Sequence, residues 1–319
     1  MAGAMTVCRK ELADHLGSKR FIVLFALIMV LSTMSAYQGT QSLRNSHQPS
    51  FINIFSGSQF GFSFTSLMVF FGPIIGLALG FDAINKERTS GSLSTLLSQP
   101  IYRDSVINGK FLAGTAALSL LTVSTIGVMC GLAIPLLGFG PGLGDVSRIV
   151  VFTLLTVLYL AFWLGLGLLY STVTKKTSTS ILLSIATWLF CSIVIATVAG
   201  LVANTLAPVS MPTGGFGGNQ TFLSPELNAT MQRNSAIQMS IQRISPSNLY
   251  SEATSSILGI SGGTLGFFGG GRGTPFRQLE LTQGIIGSWP QITAIAVGLV
   301  VCFAASYMLF LRLEIRAGG

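Results

Sequence analysis

The stretch Phe81-Asp82-Ala83-Ile84-Asn85-Lys86-Glu87-Arg88-Thr89-Ser90-Gly91-Ser92-Leu93-Ser94-Thr95-Leu96-Leu97-Ser98-Gln99-Pro100 places a dense charged cluster and an amphipathic pattern between two long apolar segments. On either side the chain is built for lipid. Leu93, Leu96, Leu97 and Ile101 recur at helical spacing, which predicts a short helix from about Ser92 with a single apolar stripe. Gly91 permits a sharp bend before it and Pro100 helps to end it. A plain charged loop at a membrane surface accounts for Lys86 and Arg88 but not for the stripe.

Half of the 319 residues are hydrophobic, 9% are charged and mean hydropathy is +0.68. That leaves too little polar surface to cover a soluble globule. A bilayer core about 30 Å thick takes roughly 20 apolar residues per helical span, and six segments qualify: Phe21 to Tyr37, Phe62 to Ile84, Phe111 to Leu137, Ile149 to Tyr170, Ser180 to Val202 and Trp289 to Leu311. The fold class is an all-α membrane protein with six transmembrane helices, an N-terminal interfacial helix and a long extracytoplasmic loop before the last helix.

Six spans put both termini on one side, and the basic residues choose it. One set of flanks carries Arg9, Lys10, Lys19, Arg20, Lys86, Arg88, Arg103, Lys110, Lys175, Lys176, Arg312 and Arg316, twelve of the 18 Lys and Arg. The opposite flanks carry Arg44, Arg148, Arg233, Arg243, Arg272 and Arg277, and the last four sit in one long loop, where charge does little to set topology. The expected location is the cell membrane, multi-pass, with both termini cytoplasmic. The net charge of +8 then reports topology, and without a contiguous basic stripe nucleic acid is not an expected partner. The first span is expected to remain as an anchor, because no small-residue cleavage site follows it.

Before the first span, Val7, Cys8, Leu12 and Leu16 form an apolar stripe among Arg9, Lys10, Glu11 and Asp14, which predicts an interfacial helix over 1–19 turning at Gly17-Ser18. Gly72, Gly76 and Gly80 make overlapping small-xxx-small patterns on the second span, a possible helix-packing interface within or between chains. The loop over 204–288 is rich in Gly and Pro and holds a sparse helical pattern from Leu223 to Gln242; its length suggests a cap or partner-binding element. Two sequons, Asn219-Gln220-Thr221 and Asn228-Ala229-Thr230, lie in it.

Chemistry is scarce. Cys130, Cys191 and Cys302 fall inside spans and read as apolar fillers, with Cys8 in the N-terminal segment. His15 and His47 fall on opposite sides of the membrane, which excludes a shared metal site. There is no phosphate-cradling loop: Asn108-Gly109-Lys110 has Asp104 where the first glycine belongs and Phe111 after the lysine. No catalytic, cofactor-binding or metal-binding residue is assigned, and the chain is not expected to be an enzyme. Acids and histidines are absent from the predicted spans at membrane depth, which disfavours an ion-coupled secondary transporter.

Asp82-Ala83-Ile84, Glu87-Arg88-Thr89-Ser90-Gly91-Ser92-Leu93, Leu96-Leu97-Ser98-Gln99-Pro100, Arg103 and Gly109-Lys110-Phe111-Leu112 resemble the cytoplasmic signature of ABC-2 type transporter permeases, and Arg9-Lys10-Glu11-Leu12 resembles their N-terminal segment. The six-span layout is similar over nearly the whole chain. Within the family the likeness is to the membrane subunits that serve nitrous oxide reductase maturation, from which the long outer loop departs. The resemblance implies a single ABC-2 transmembrane domain over 1–319, with a cytoplasmic coupling loop at 85–110. It implies an exporter permease without a cofactor of its own, forming a homodimer or a pair of similar permeases in the membrane lipid. Two copies of a separate ABC ATPase would hold ATP and Mg. Glu87, Arg88, Gly91, Leu93, Leu96, Leu97 and Pro100 would couple to that ATPase. The alternative is a mechanotransmission or scaffold subunit acting on an extracytoplasmic protein.

Overall fold

The computed structural model describes residues 2–44, 50–56, 63–89, 91, 102–208, 225–259 and 280–312. Among these the chain is helical, without strands, and six helical stretches are long and apolar enough to cross a membrane: Lys19–Gln41, Phe64–Thr89, Arg103–Leu137, Leu143–Val173, Thr177–Leu206 and Leu281–Leu311. All six segments expected from hydropathy are present. Most of their ends run further, the third starting at Arg103 instead of Phe111 and the last at Leu281 instead of Trp289, while the second starts at Phe64 instead of Phe62. A helix satisfies its own backbone and has no reason to stop where the apolar residues do.

Helix α1 (Ala2–Gly17) leads into α2 (Lys19–Arg44), the first span. Ser18 makes the joint: its hydroxyl donates to the His15 carbonyl at 2.8 Å and accepts from the Phe21 N–H at 3.2 Å, capping α2. After the short α3 (Asn53–Ser56), Ser63 caps the second span, α4 (Phe64–Gly80), by accepting from the Ser66 N–H at 2.9 Å. A turn at 81–84 joins α4 to α5 (Asn85–Thr89). The third and fourth spans are α6 (Arg103–Leu137), closed by Gly138 at φ +79°, and α7 (Leu143–Val173). The fifth comprises α8 (Thr177–Leu189), a π-turn at Phe190–Val194 and α9 (Ile195–Leu206). Two helices follow, α10 (Pro225–Gln242) and α11 (Pro246–Leu258), before the sixth span, α12 (Leu281–Leu311).

Helices α4 and α7 form the centre, and glycine sets their distance. A Cβ added to Gly76 would stand 2.7 Å from the Leu160 carbonyl oxygen, and one on Gly80 would stand 2.6 Å from that of Leu164. Gly72 meets the Leu160 and Tyr159 side chains, and on α7 a Cβ added to Gly167 would stand 3.1 Å from Gly80 Cα. The three glycines thus pack within the chain, Gly76 and Gly80 against the α7 backbone and Gly72 against α7 side chains, as small residues allow in lipid. At the far end of the bundle Phe55, Phe64 and Phe152 close around α3. There Arg44 donates to the Leu136 carbonyl at 2.6 Å, tying the first span to the third.

The segment between the fifth and sixth spans does not simply loop over the surface. Helix α11 packs against α4, α7 and α12, and buries Ser247, Tyr250, Ala253, Thr254 and Ile257. The Tyr250 ring stacks on Tyr159 at 4.3 Å between centroids and 10° between planes. The polar tips find partners: the Tyr250 hydroxyl lies 2.9 Å from Thr156 Oγ1, while the Tyr159 hydroxyl donates to the Val69 carbonyl at 3.1 Å and sits 3.0 Å from Ser247 Oγ. Pro246 opens α11 and Gly259, at φ +72°, closes it. Helix α10 lies along α9, with Asn234 donating to the Ala207 carbonyl at 2.8 Å.

Candidate functional site

Charged side chains gather at the end of the bundle where α1, α5 and the starts of α2 and α6 meet. The placement begins with Gly109. A Cβ there would stand 2.8 Å from the Val7 side chain and 2.9 Å from the Ala4 carbonyl oxygen, so α1 lies directly on α6 at this turn. Val7, Leu12 and Leu16 of the expected apolar stripe are buried or half-buried. One residue on, Lys110 Nζ reaches Glu11 Oε1 at 3.0 Å and Glu87 Oε1 at 2.7 Å. The side chains are 4%, 13% and 14% exposed respectively, so one ammonium pins α1, α5 and α6 to each other away from bulk water. A cation so enclosed needs its carboxylates, since an unpaired buried charge is costly.

The joint between α4 and α5 is also held from the other side. Ser171 Oγ of α7 accepts from the Ile84 and Asn85 N–H groups at 3.0 and 3.1 Å, and the buried Asn85 side chain donates to Thr174 Oγ1 at 2.9 Å. Arg20, on α2, meets Asp82 at 2.7 Å, with its guanidinium 5.8 Å from the centre of the Phe81 ring. The segment 81–89 is therefore fastened to the first, third and fourth spans as well as continuing the second. Burial pulls the His15 imidazole below its ordinary pKa, against the opposing field of Glu11, in the α1 turn that faces this cluster.

Of the residues singled out by sequence, Glu87, Arg88 and Gly91 lie at this end: Glu87 in the ion triad, Arg88 half-buried on α5, and Gly91 at φ +72° with its N–H donating to the Arg88 carbonyl at 3.3 Å. Leu93, Leu96, Leu97 and Pro100 lie outside the described residues. Gly72, Gly76 and Gly80 belong to the α4–α7 contact instead. Sequence reading placed Glu11 on the polar face of the N-terminal helix and counted Lys110 among the flank charges that set topology, but did not pair them. The available signal was a lysine one residue before an apolar run, a charge that must find partners or stay at the surface.

The profile of the ABC-2 family transporter proteins matches residues 5–315. Two curated relatives carry the name "Probable ABC transporter permease protein NosY". The one from Pseudomonas aeruginosa is 34% identical over 122 residues, 38% of this chain and 42% of the relative. The one from Stutzerimonas stutzeri is 35% identical over 139 residues, 43% of this chain and 48% of the relative. The chain thus aligns with less than half the length of either relative. With the family profile spanning nearly all of its residues, the chain belongs to the ABC-2 family of transporter proteins.

Proposed function

We propose that the chain is the permease subunit of an ATP-binding cassette exporter, driven by two copies of a separate ATPase that holds ATP and Mg, and that it works as a homodimer in the cell membrane with both termini cytoplasmic. The observation that carries this reading is the Glu11–Lys110–Glu87 triad. It joins α1 to the segment after the second span, the region whose sequence resembles the family's cytoplasmic signature. A push on either element reaches α6 through Lys110, α7 through Ser171 and Thr174, and α4 through the covalent chain. Force delivered at this end is thereby shared by the second, third and fourth spans, whose close α4–α7 contact leaves little slack.

Within this reading Glu87 has a positioning role: it holds α5, and Arg88 on the same helix meets the ATPase. The test is co-purification and coupled transport in proteoliposomes with the cognate ATPase. Glu87→Ala should insert and fold yet lose most ATP-dependent transport, with ATPase association weakened or hydrolysis running uncoupled. Wild-type transport with normal association would overturn the role.

Action on an extracytoplasmic protein is the second reading. Its support is α10, a largely polar helix that lies on α9 outside the six spans. Deleting α10 would separate the two: loss of a partner's maturation with ATP-driven export intact favours mechanotransmission.

A further inference from the structure

Two cavities flank the lower half of α4. The first, about 410 Å³, opens between α1, α2 and α4 beside the charged cluster. Its floor is apolar, made by Phe21, Leu24, Ile75 and Leu79, and its rim is ionic. The second, about 260 Å³, lies between α4 and α8 and is lined almost wholly by apolar atoms, with Phe81, Ile185 and Trp188 among its walls. Ile75, Leu79 and Asp82 face the first cavity, whereas Ile74, Leu77 and Phe81 face the second. Ala78 is the ridge between them and lines both. A small residue there lets a flexible chain lie across α4 from one cavity to the other.

The rim is unbalanced once its internal pairs are set aside. Lys110 is held by Glu11 and Glu87, with Lys10 4.0 Å from Glu11, and Arg20 is held by Asp82. Lys19 and Lys86 remain without an acidic partner among the described residues, opposed in the lining by Asp14 alone. Arg20 bonds Asp82 through Nη1 but keeps a side chain 68% exposed, so its outer edge is free to donate. Exposed cations above an apolar floor at a helix–membrane boundary match a phosphate group that carries acyl chains.

We propose that these cavities bind one anionic glycerophospholipid of the adjoining leaflet. Its phosphate lies at Lys19, Lys86 and the outer edge of Arg20, and an acyl chain crosses α4 at Ala78 into the apolar cavity. The site requires only that the six spans lie in a membrane, and it stands whether or not the exporter reading does. Occupied, it would brace α1 against α4 next to the Lys110 triad.

The test is native mass spectrometry and thermal unfolding of the full-length protein, with added phosphatidylglycerol, phosphatidylcholine or soluble glycerol 3-phosphate. Wild-type protein should retain one phosphatidylglycerol per chain in preference to phosphatidylcholine and be stabilised by it. The K19Q/K86Q variant, altered only at exposed side chains, should bind phosphatidylglycerol roughly thirtyfold more weakly, the loss expected for two lysines near a membrane surface. Ala78→Phe should lower the affinity for the lipid while leaving the weak effect of glycerol 3-phosphate unchanged. Equal retention of the two lipids, or wild-type affinity in the double lysine variant, would overturn the proposal. Stabilisation by glycerol 3-phosphate equal to that by phosphatidylglycerol would assign the rim to free phosphate esters instead. Disulfide capture between two copies through cysteine at Ile185 would show that a second chain fills the apolar cavity, which also overturns it.

Discussion

Lys110 Nζ meets Glu87 Oε1 at 2.7 Å, joining a helix that enters the third span to a five-residue helix that leaves the second. Twenty-three residues separate them in sequence. The contact is shielded on one face by α1, whose Glu11 supplies the other carboxylate.

Removing one carboxylate leaves the enclosed ammonium with a single partner. Glu87→Gln should lower stability by about 2 kcal/mol, less than the loss expected for a wholly unpaired buried charge because Glu11 remains. The double change Glu87→Gln, Lys110→Met should be less destabilising than the sum of the single changes. Thermal unfolding of all three variants in one detergent measures the coupling.

Gly76 and Gly80 admit no Cβ without displacing the α7 backbone. Gly76→Leu and Gly80→Val should each destabilise by about 1 to 3 kcal/mol through overpacking. Gly127, which has open space around it, should accept alanine with little change. Yield of monodisperse protein and its unfolding temperature separate the cases.

Tyr250 holds α11 in the bundle through its ring and its hydroxyl. Tyr250→Ala should lose about 3 to 5 kcal/mol, the range for truncating a buried aromatic side chain. Tyr250→Phe keeps the stack on Tyr159, and Thr156 keeps its bond to the Phe152 carbonyl, so the cost should be nearer 1 kcal/mol. Proteolysis at the α10–α11 junction, expected to rise only in the alanine variant, gives a second readout.

Arg243 binds both carboxylate oxygens of Glu252, which holds the Glu252 carboxyl below its ordinary value near 4.5. Because the folded value is the lower one, the stabilisation is present above about pH 4.5 and is lost as pH falls through the folded value. The pair is partly exposed, so the effect is about 1 kcal/mol or less. Unfolding temperatures between pH 3.5 and pH 7, on the order of a carboxylate's titration range, should fall less steeply on acidification in Glu252→Gln than in wild type.

Orientation is checked by labelling in a cysteine-free background. Ser240 on α10 and Ser178 on α8 are both exposed. An impermeant thiol reagent applied to intact cells should modify cysteine at Ser240 and leave cysteine at Ser178 untouched. Ser247 would be a poor reporter, since it is buried against Tyr159. The reverse pattern would invert the topology.

The sequence by itself determined the six spans and the all-helical class. Length and apolarity are properties of contiguous residues, and lipid, as solvent, enforces internally bonded backbone wherever they occur. It also isolated the glycines of α4 and the charged cluster after it. Only the tertiary structure decided that those glycines meet Leu160 and Leu164 of the same chain, and that the segment after the fifth span returns to stack Tyr250 on Tyr159. Likewise Glu11, Glu87 and Lys110 are distant in sequence, and each reads alone as one more residue at a charged membrane flank. A buried charge is stabilised by whichever partners the packed helices bring within about 3 Å, and that pairing depends on how α1 crosses α6 at Gly109, which no local pattern encodes.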